Sequence, residues 1–165
     1  MISAIVYNSL TGSCEKYAHL LSAALHVPAF PLGREKVRSG GEVIYIGWLF
    51  AGKLTGYRKA AQKLSIAAVV QVGMGAVSEG SADFCREKNA VPAETAIFCR
   101  QGAFNLNKLP LPLKLIMKVK NKSIVSRLDA KGQLNEQEQA LYVMASTGVG
   151  QPAQWEIDDI VAWAK

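Results

Sequence analysis

Ile2-Ser3-Ala4-Ile5-Val6-Tyr7-Asn8-Ser9-Leu10-Thr11-Gly12-Ser13-Cys14 is the stretch whose reading decides the fold. Ile2 to Tyr7 is a short apolar run rich in β-branched residues, the pattern of a strand buried on both faces. Asn8 to Gly12 is small and polar, hence a loop. Tyr17, Leu20, Leu21, Ala24 and Leu25 then recur at i, i+3, i+4, i+7 and i+8, one face of a helix. A strand, a hydroxyl-rich loop and a helix N-terminus make a ready anion site, because free backbone N–H groups and the helix dipole favour a phosphate there. Ser9, Thr11 and Ser13 add hydroxyl donors. The plain alternative is an N-cap loop without a ligand, where Ser and Thr are also common.

Read as Ser9-Leu10-Thr11-Gly12-Ser13-Cys14, the loop resembles that of the flavodoxin-like family, Ser/Thr-x-Thr-Gly-x-Ser/Thr, which wraps the phosphate of FMN without a lysine. The last position departs, with a thiol in place of a hydroxyl, which removes one good donor. The resemblance implies FMN as cofactor and a three-layer α/β fold. Its sheet would be five-stranded and parallel, in the order 2-1-3-4-5, with helices on both faces. The first strand–helix turn is also where open α/β sheets bind ligands in general.

At 165 residues the chain is long enough for one domain, 1–165, with a sizeable core. Half of its residues are hydrophobic and 19% are charged, a globular composition rather than a disordered one. The apolar N-terminal run breaks at Asn8 and is not read as a signal peptide. No run approaches the length of a membrane span. Cys14, Cys85 and Cys99 are too widely spaced for a disulfide framework or a zinc pattern. A reducing cytoplasm is therefore the expected compartment.

Further along, Val27 to Leu32 reads as a short second strand weakened by Pro28 and Pro31. Glu42 to Ile46 reads as a third strand ending at Gly47, and Trp48 to Gly56 as an apolar loop. Tyr57 to Leu64 is a short helix, Ile66 to Val72 a fourth strand, Ser81 to Lys88 a helix and Thr95 to Cys99 a fifth strand. Strands alternating with helices predict an α/β fold with a parallel sheet. After strand five, Pro110 and Pro112 suit the first turn of an extra helix that Leu113 to Asn121 continues. A turn centred on Gly132, a helix from Asn135 to Ala145, a loop from Thr147 to Pro152 and a last helix from Trp155 to Ala164 complete the reading.

Gly47-Trp48-Leu49-Phe50-Ala51-Gly52-Lys53 fits G-x-x-x-x-G-K, but Leu54 follows where a P-loop needs a hydroxyl for magnesium. In flavodoxin-like proteins the loop after strand three covers the isoalloxazine ring, often with an aromatic. The resemblance thus implies that Trp48, Leu49, Phe50, Ala51 and Gly52 contact the flavin, with Trp48 as the stacking candidate and Phe50 the second choice. Ordinary core packing is the competing role of both rings. Gly73, Met74 and Gly75 follow strand four, at the family's second flavin-contacting loop, where glycines allow close backbone approach. A plain tight turn explains Gly73 to Val77 equally well, and the dinucleotide pattern fails at Ser78. A helix N-terminus lowers a thiol pKa, so Cys14 is weighed as a thiolate; a small filler or weak donor to phosphate is the favoured role. Cys85 and Cys99 read as buried. His19 and His26 have no partner motif. No catalytic side-chain constellation and no metal site can be assembled.

The net charge of +6 is concentrated. Seven basic residues and no acid lie between Arg100 and Leu128, whereas the rest of the chain holds 12 basic and 13 acidic residues. Lys114, Lys118 and Lys122 share one helix stripe, opposite Leu113, Ile116 and Val119. A basic amphipathic helix over 108–122 suits peripheral contact with an anionic membrane, an acidic partner or propionate groups; a lysine-solvated face over a core stripe is the bland reading. Nucleic-acid binding is disfavoured, because no helix-turn-helix, zinc or RNA-binding motif accompanies the charge. Arg100-Gln101-Gly102-Ala103-Phe104, Lys114-Leu115-Ile116-Met117-Lys118 and Trp155-Glu156-Ile157-Asp158-Asp159-Ile160 together resemble the menaquinone-dependent protoporphyrinogen oxidase branch of the flavodoxin-like proteins. That branch has an extra helix after strand five and a C-terminal helix with Trp and acidic residues.

Three functions follow from these readings. The first is an FMN-binding electron-transfer protein or flavin-dependent oxidoreductase, with a redox partner protein or a small hydrophobic substrate. The second is a quinone-linked protoporphyrinogen oxidase-like enzyme. The third is a flavin-free interaction module of the same fold, which Cys14 favours.

Overall fold

The computed structural model describes residues 1–75, 77–150 and 155–165. Ala76 of the Gly73–Val77 turn and the end of the Thr147–Pro152 loop lie outside the described residues. The apolar run at the N-terminus forms β1 (Ile2–Asn8), and helix α1 (Ser13–Leu25) follows. Next come β2 (Ala29–Pro31), β3 (Glu42–Phe50), β4 (Lys53–Leu54), α2 (Tyr57–Ala61), β5 (Ser65–Gly73), α3 (Ser81–Asn89) and β6 (Ala96–Gln101). A second part holds β7 (Phe104–Asn105), α4 (Leu111–Asp129), α5 (Glu136–Thr147), β8 (Val149–Gly150) and α6 (Asp158–Ala164).

The main sheet runs β2-β1-β3-β5-β6, and all four of these pairings are parallel. It differs from the expected five-strand 2-1-3-4-5 sheet. The third strand does not stop at Gly47 but continues through Trp48, Leu49 and Phe50, then folds back as β4, antiparallel to β3. This sixth strand takes a number without a place in the parallel path. The hairpin turn is Ala51-Gly52, with φ of +50° and +79°, the positive values that a two-residue type I′ turn demands. Pro31 is accommodated because β2 pairs with β1 alone, at the sheet edge.

Strand alternation sends side chains to two buried faces. Ile5, Ile44, Ile46, Val70 and Val72 pack on one side with Cys14, Tyr17, Ala18 and Leu21 of α1 and Ile160 of α6. Val6, Val43, Tyr45 and Val69 pack on the other with Tyr57 and Ala60 of α2 and with Val91. Helix, sheet and helix therefore form three layers. A third, smaller cluster joins Phe104, Met117 of α4 and Met144 of α5. It forms where β7 pairs with β8, Phe104 opposite Gly150.

Three helices differ from expectation, α2 in ending at Ala61 rather than Leu64. The extra helix continues past Asn121 to Asp129, and its buried positions are Met117, Asn121 and Leu128. Ile116 and Val119 of the expected apolar stripe stand in solvent, so that stripe is not the core face. The last helix starts at Asp158 rather than Trp155. Trp155 instead packs on α1, 4.9 Å from the ring of Tyr17 and beneath the ammonium of Lys16.

Candidate functional site

The loop after β1 bends sharply into α1. Gly12 caps the helix in the left-handed region at φ +101°, and no side chain caps the helix end. A side chain at Gly12 would be strained by that backbone, which is why glycine stands there. The Gly12 N–H donates to Ser9 Oγ at 3.1 Å. The first intrahelical bond is Lys16 N–H to the Gly12 carbonyl at 2.9 Å. The N–H groups of Ser13, Cys14 and Glu15 therefore have no acceptor within the helix, and the positive end of the helix dipole coincides with them. The loop hydroxyls are not equivalent. Ser13 Oγ donates to the Ala103 carbonyl at 3.0 Å, so it locks α1 to the segment after β6. Among the described residues the Thr11 hydroxyl has no partner.

Above this loop lies a cavity of about 270 Å³, close to the ~300–1,000 Å³ of small-molecule sites. Ser9, Leu10, Thr11, Ser13 and Cys14 form one wall. Trp48, Leu49, Phe50 and Ala51 form a second, and Gly73 and Met74 a third. The C-terminal ends of β1, β3 and β5 thus bring together the three loops singled out from sequence. Gly12, Gly52 and Gly75 are not in its lining. Gly52 serves the hairpin and abuts α3, where an added Cβ would lie 3.1 Å from the Phe84 ring. Gly75 faces a neighbouring cavity of about 930 Å³ beside α5.

Trp48 has both roles weighed for it. It packs partly against the core shared with α1, and it lines the cavity with its ring edge-on to Phe50 at 5.8 Å. Its backbone carbonyl is pinned by two bonds from Thr55, N–H at 3.0 Å and Oγ1 at 2.9 Å. Cys14 is not a thiolate: it is 1% exposed, and burial pushes its pKa up to about 12. That leaves a neutral small side chain at the helix start. Tyr17 is likewise pushed up to about 12, chiefly by burial, and its hydroxyl donates to the Gln101 carbonyl at 2.9 Å. Cys85 is buried and Cys99 half-buried, and both thiols are raised, first by burial.

The fourth wall escapes local sequence reading. It consists of Gly102, Ala103 and Phe104 after β6, with Leu113, Met117 and Lys120 of α4. Gly102 is needed for close approach: a Cβ there would stand 2.7 Å from Val72 Cγ1 and 3.0 Å from Ser13 Cβ. Lys120 is the only charged residue in the cavity lining among the described residues. Arg100, the first residue of the basic segment, is engaged elsewhere. It donates from Nε to the Glu156 carbonyl at 2.8 Å and pairs with Asp159. No group of three His, Cys, Asp or Glu that would hold a metal ion occurs among the described residues.

The site therefore offers uncapped backbone donors and a free hydroxyl at one end, aromatic and aliphatic walls, and a single lysine. Such an arrangement suits an anionic ligand with a flat apolar body. No protein-family model and no curated protein sequence matches this chain.

Proposed function

We propose that the chain is a flavodoxin-like protein that binds one FMN, acting in electron transfer or as a flavin-dependent oxidoreductase. The observation that carries this reading is the union of the uncapped α1 N-terminus, the Thr11 hydroxyl, partnerless among the described residues, and Trp48 in one cavity. The donor set fits a phosphate ester. The N–H groups of Ser13, Cys14 and Glu15, with Thr11, would hold its oxygens, and the helix dipole would offset its charge. Trp48 and Leu49 would lie against the ring, while Gly73, where an added Cβ would meet only Leu49 Cδ1 at 3.9 Å, would allow its edge close to the backbone. The flavin supplies the electron chemistry when bound, and the protein supplies orientation, dryness and local electrostatics.

Between the carrier and the enzyme, one observation favours an enzyme with a small hydrophobic substrate. Leu113 and Ile116 line the cavity, and Ile116 is also 53% exposed, so the cavity has an apolar edge open to the outside.

Two substitutions test the placement. Thr11→Ala is expected to weaken FMN binding by about 1.5–3 kcal/mol, the worth of one hydrogen bond to a charged group. Trp48→Ala is expected to raise the fluorescence of bound flavin by removing a quencher. Flavin titration of both variants, read by fluorescence, checks this. Wild-type affinity in Thr11→Ala together with wild-type quenching in Trp48→Ala would contradict the proposed site.

A further inference from the structure

Helix α4 carries two apolar strips, and the fold uses one of them. Met117, Asn121 and Leu128 are buried, with Met117 in the cluster of Phe104 and Met144. Leu111, Leu115 and Val119 recur every four residues on another side and are 70%, 56% and 73% exposed. Ile116 stands beside them. At 100° per residue, Lys114, Lys118 and Lys122 run along one flank of this strip and Lys120 lies on the other. No acid occurs in the sequence from Arg100 to Leu128. Among the described residues the ion pairs are Met1–Glu42, Glu15–His19, Arg100–Asp159 and Lys131–Glu138, so none engages these lysines.

A contiguous apolar strip in water is costly and marks a contact surface. The ammonium groups of Lys114, Lys118 and Lys122 define the chemistry of what it meets, while Lys120 belongs to the cavity lining. We propose that this face of α4 seats on an anionic phospholipid bilayer, with the helix lying in the plane of the interface. Leu111, Leu115 and Val119 enter the acyl boundary, while the lysine stems reach past them to the phosphate layer. No helix among the described residues is long and apolar enough to cross a membrane, so the contact is superficial. Ile116 borders the strip and also lines the cavity. The open edge of the cavity therefore turns toward the lipid, and an apolar substrate dissolved there reaches the site without passing through water. The docking itself does not depend on which ligand the cavity holds.

The test is co-sedimentation of the full chain with vesicles of phosphatidylcholine alone or mixed with phosphatidylglycerol, at low and high salt. Binding is expected only to the anionic vesicles and is expected to fall as salt rises. The triple variant Lys114→Gln/Lys118→Gln/Lys122→Gln should partition on the order of 100-fold more weakly at low salt, about fivefold per lysine. Leu115→Ser/Val119→Ser should also weaken binding, and both sets lie on the surface, so circular dichroism should stay that of wild type. Absence of binding at low salt, equal binding to neutral vesicles, or an unchanged triple variant would overturn the proposal. Sedimentation velocity completes the test: a monomer is expected, and a dimer abolished by Leu115→Ser/Val119→Ser would assign the strip to a second copy of the chain instead.

Discussion

Replacing Gly56 by alanine is expected to destabilise the protein by about 2–5 kcal/mol, from a left-handed backbone forced on an L side chain and from overpacking. Gly56 has φ +79°, and an added Cβ would lie 2.4 Å from Tyr45 Oη, 2.8 Å from Leu32 Cδ2 and 2.9 Å from Asn8 Nδ2. Three elements would have to give at once. Tyr45 is fully buried, and its hydroxyl donates to the Thr55 carbonyl at 2.7 Å. Thr55 in turn holds the Trp48 carbonyl through its N–H and its hydroxyl. The disturbance should therefore reach the cavity wall as well as the core. Urea unfolding should show a lower midpoint at an unchanged slope, and the intrinsic tryptophan emission of the native state should shift. A midpoint equal to wild type would mean that β4 and the Gly56 turn sit elsewhere.

Ile160→Ala is expected to cost about 2–5 kcal/mol, the range for truncating a buried isoleucine. Ile160 is 0% exposed and is the one buried side chain of the seven-residue helix α6. It packs in the cluster of α1 and the sheet, so truncation leaves a void between layers rather than at the surface. Nearby polar contacts, Arg100 to Asp159 and to the Glu156 carbonyl, hold the helix in place and would limit collapse into that void. Denaturant unfolding measures the loss. A change below about 0.5 kcal/mol, the scale of an ordinary surface substitution, would mean that α6 does not cover the core.

The parallel strands were legible because their residues are buried on both faces. Ile2 to Tyr7, Val43 to Ile46 and Ile66 to Val72 are predominantly apolar runs, broken only by Ser3 and Gln71, without the polar face that a surface helix would carry. From sequence alone Trp48 to Phe50 reads as loop, because a glycine at position 47 marks a strand end. Gly47 in fact lies mid-strand at a close approach: a Cβ there would be 3.0 Å from the Thr55 carbonyl and 3.1 Å from Leu54 Cδ1. The chain folding back as β4 requires that glycine. The second half of α4 escaped for another reason. Its buried positions, Met117, Asn121 and Leu128, include an amide, and two apolar strips on one helix blur the period that marks either alone.

For the site, the loop hydroxyls were evident but not their partners. Ser13 reaches the Ala103 carbonyl and Tyr17 the Gln101 carbonyl, 90 and 84 residues away. Separations of that size are set by the topology of the sheet, not by any local pattern. The same holds for the α4 wall, whose position depends on β7 pairing with β8 across the helices between them. Lys120 thus enters the cavity although the readable lysine stripe is that of Lys114, Lys118 and Lys122.

The central claim is that a flavin lies in the cavity with its phosphate on the α1 N-terminus. Calorimetric titration of the flavin-free protein with FMN, and in parallel with riboflavin, which lacks the phosphate, tests it most directly. One FMN per chain is expected, and riboflavin bound at least tenfold more weakly, since even one lost charge-assisted hydrogen bond is worth about 1.5–3 kcal/mol. Equal affinity for the two would contradict the phosphate site, and no binding of either would contradict the flavin and leave the flavin-free interaction module.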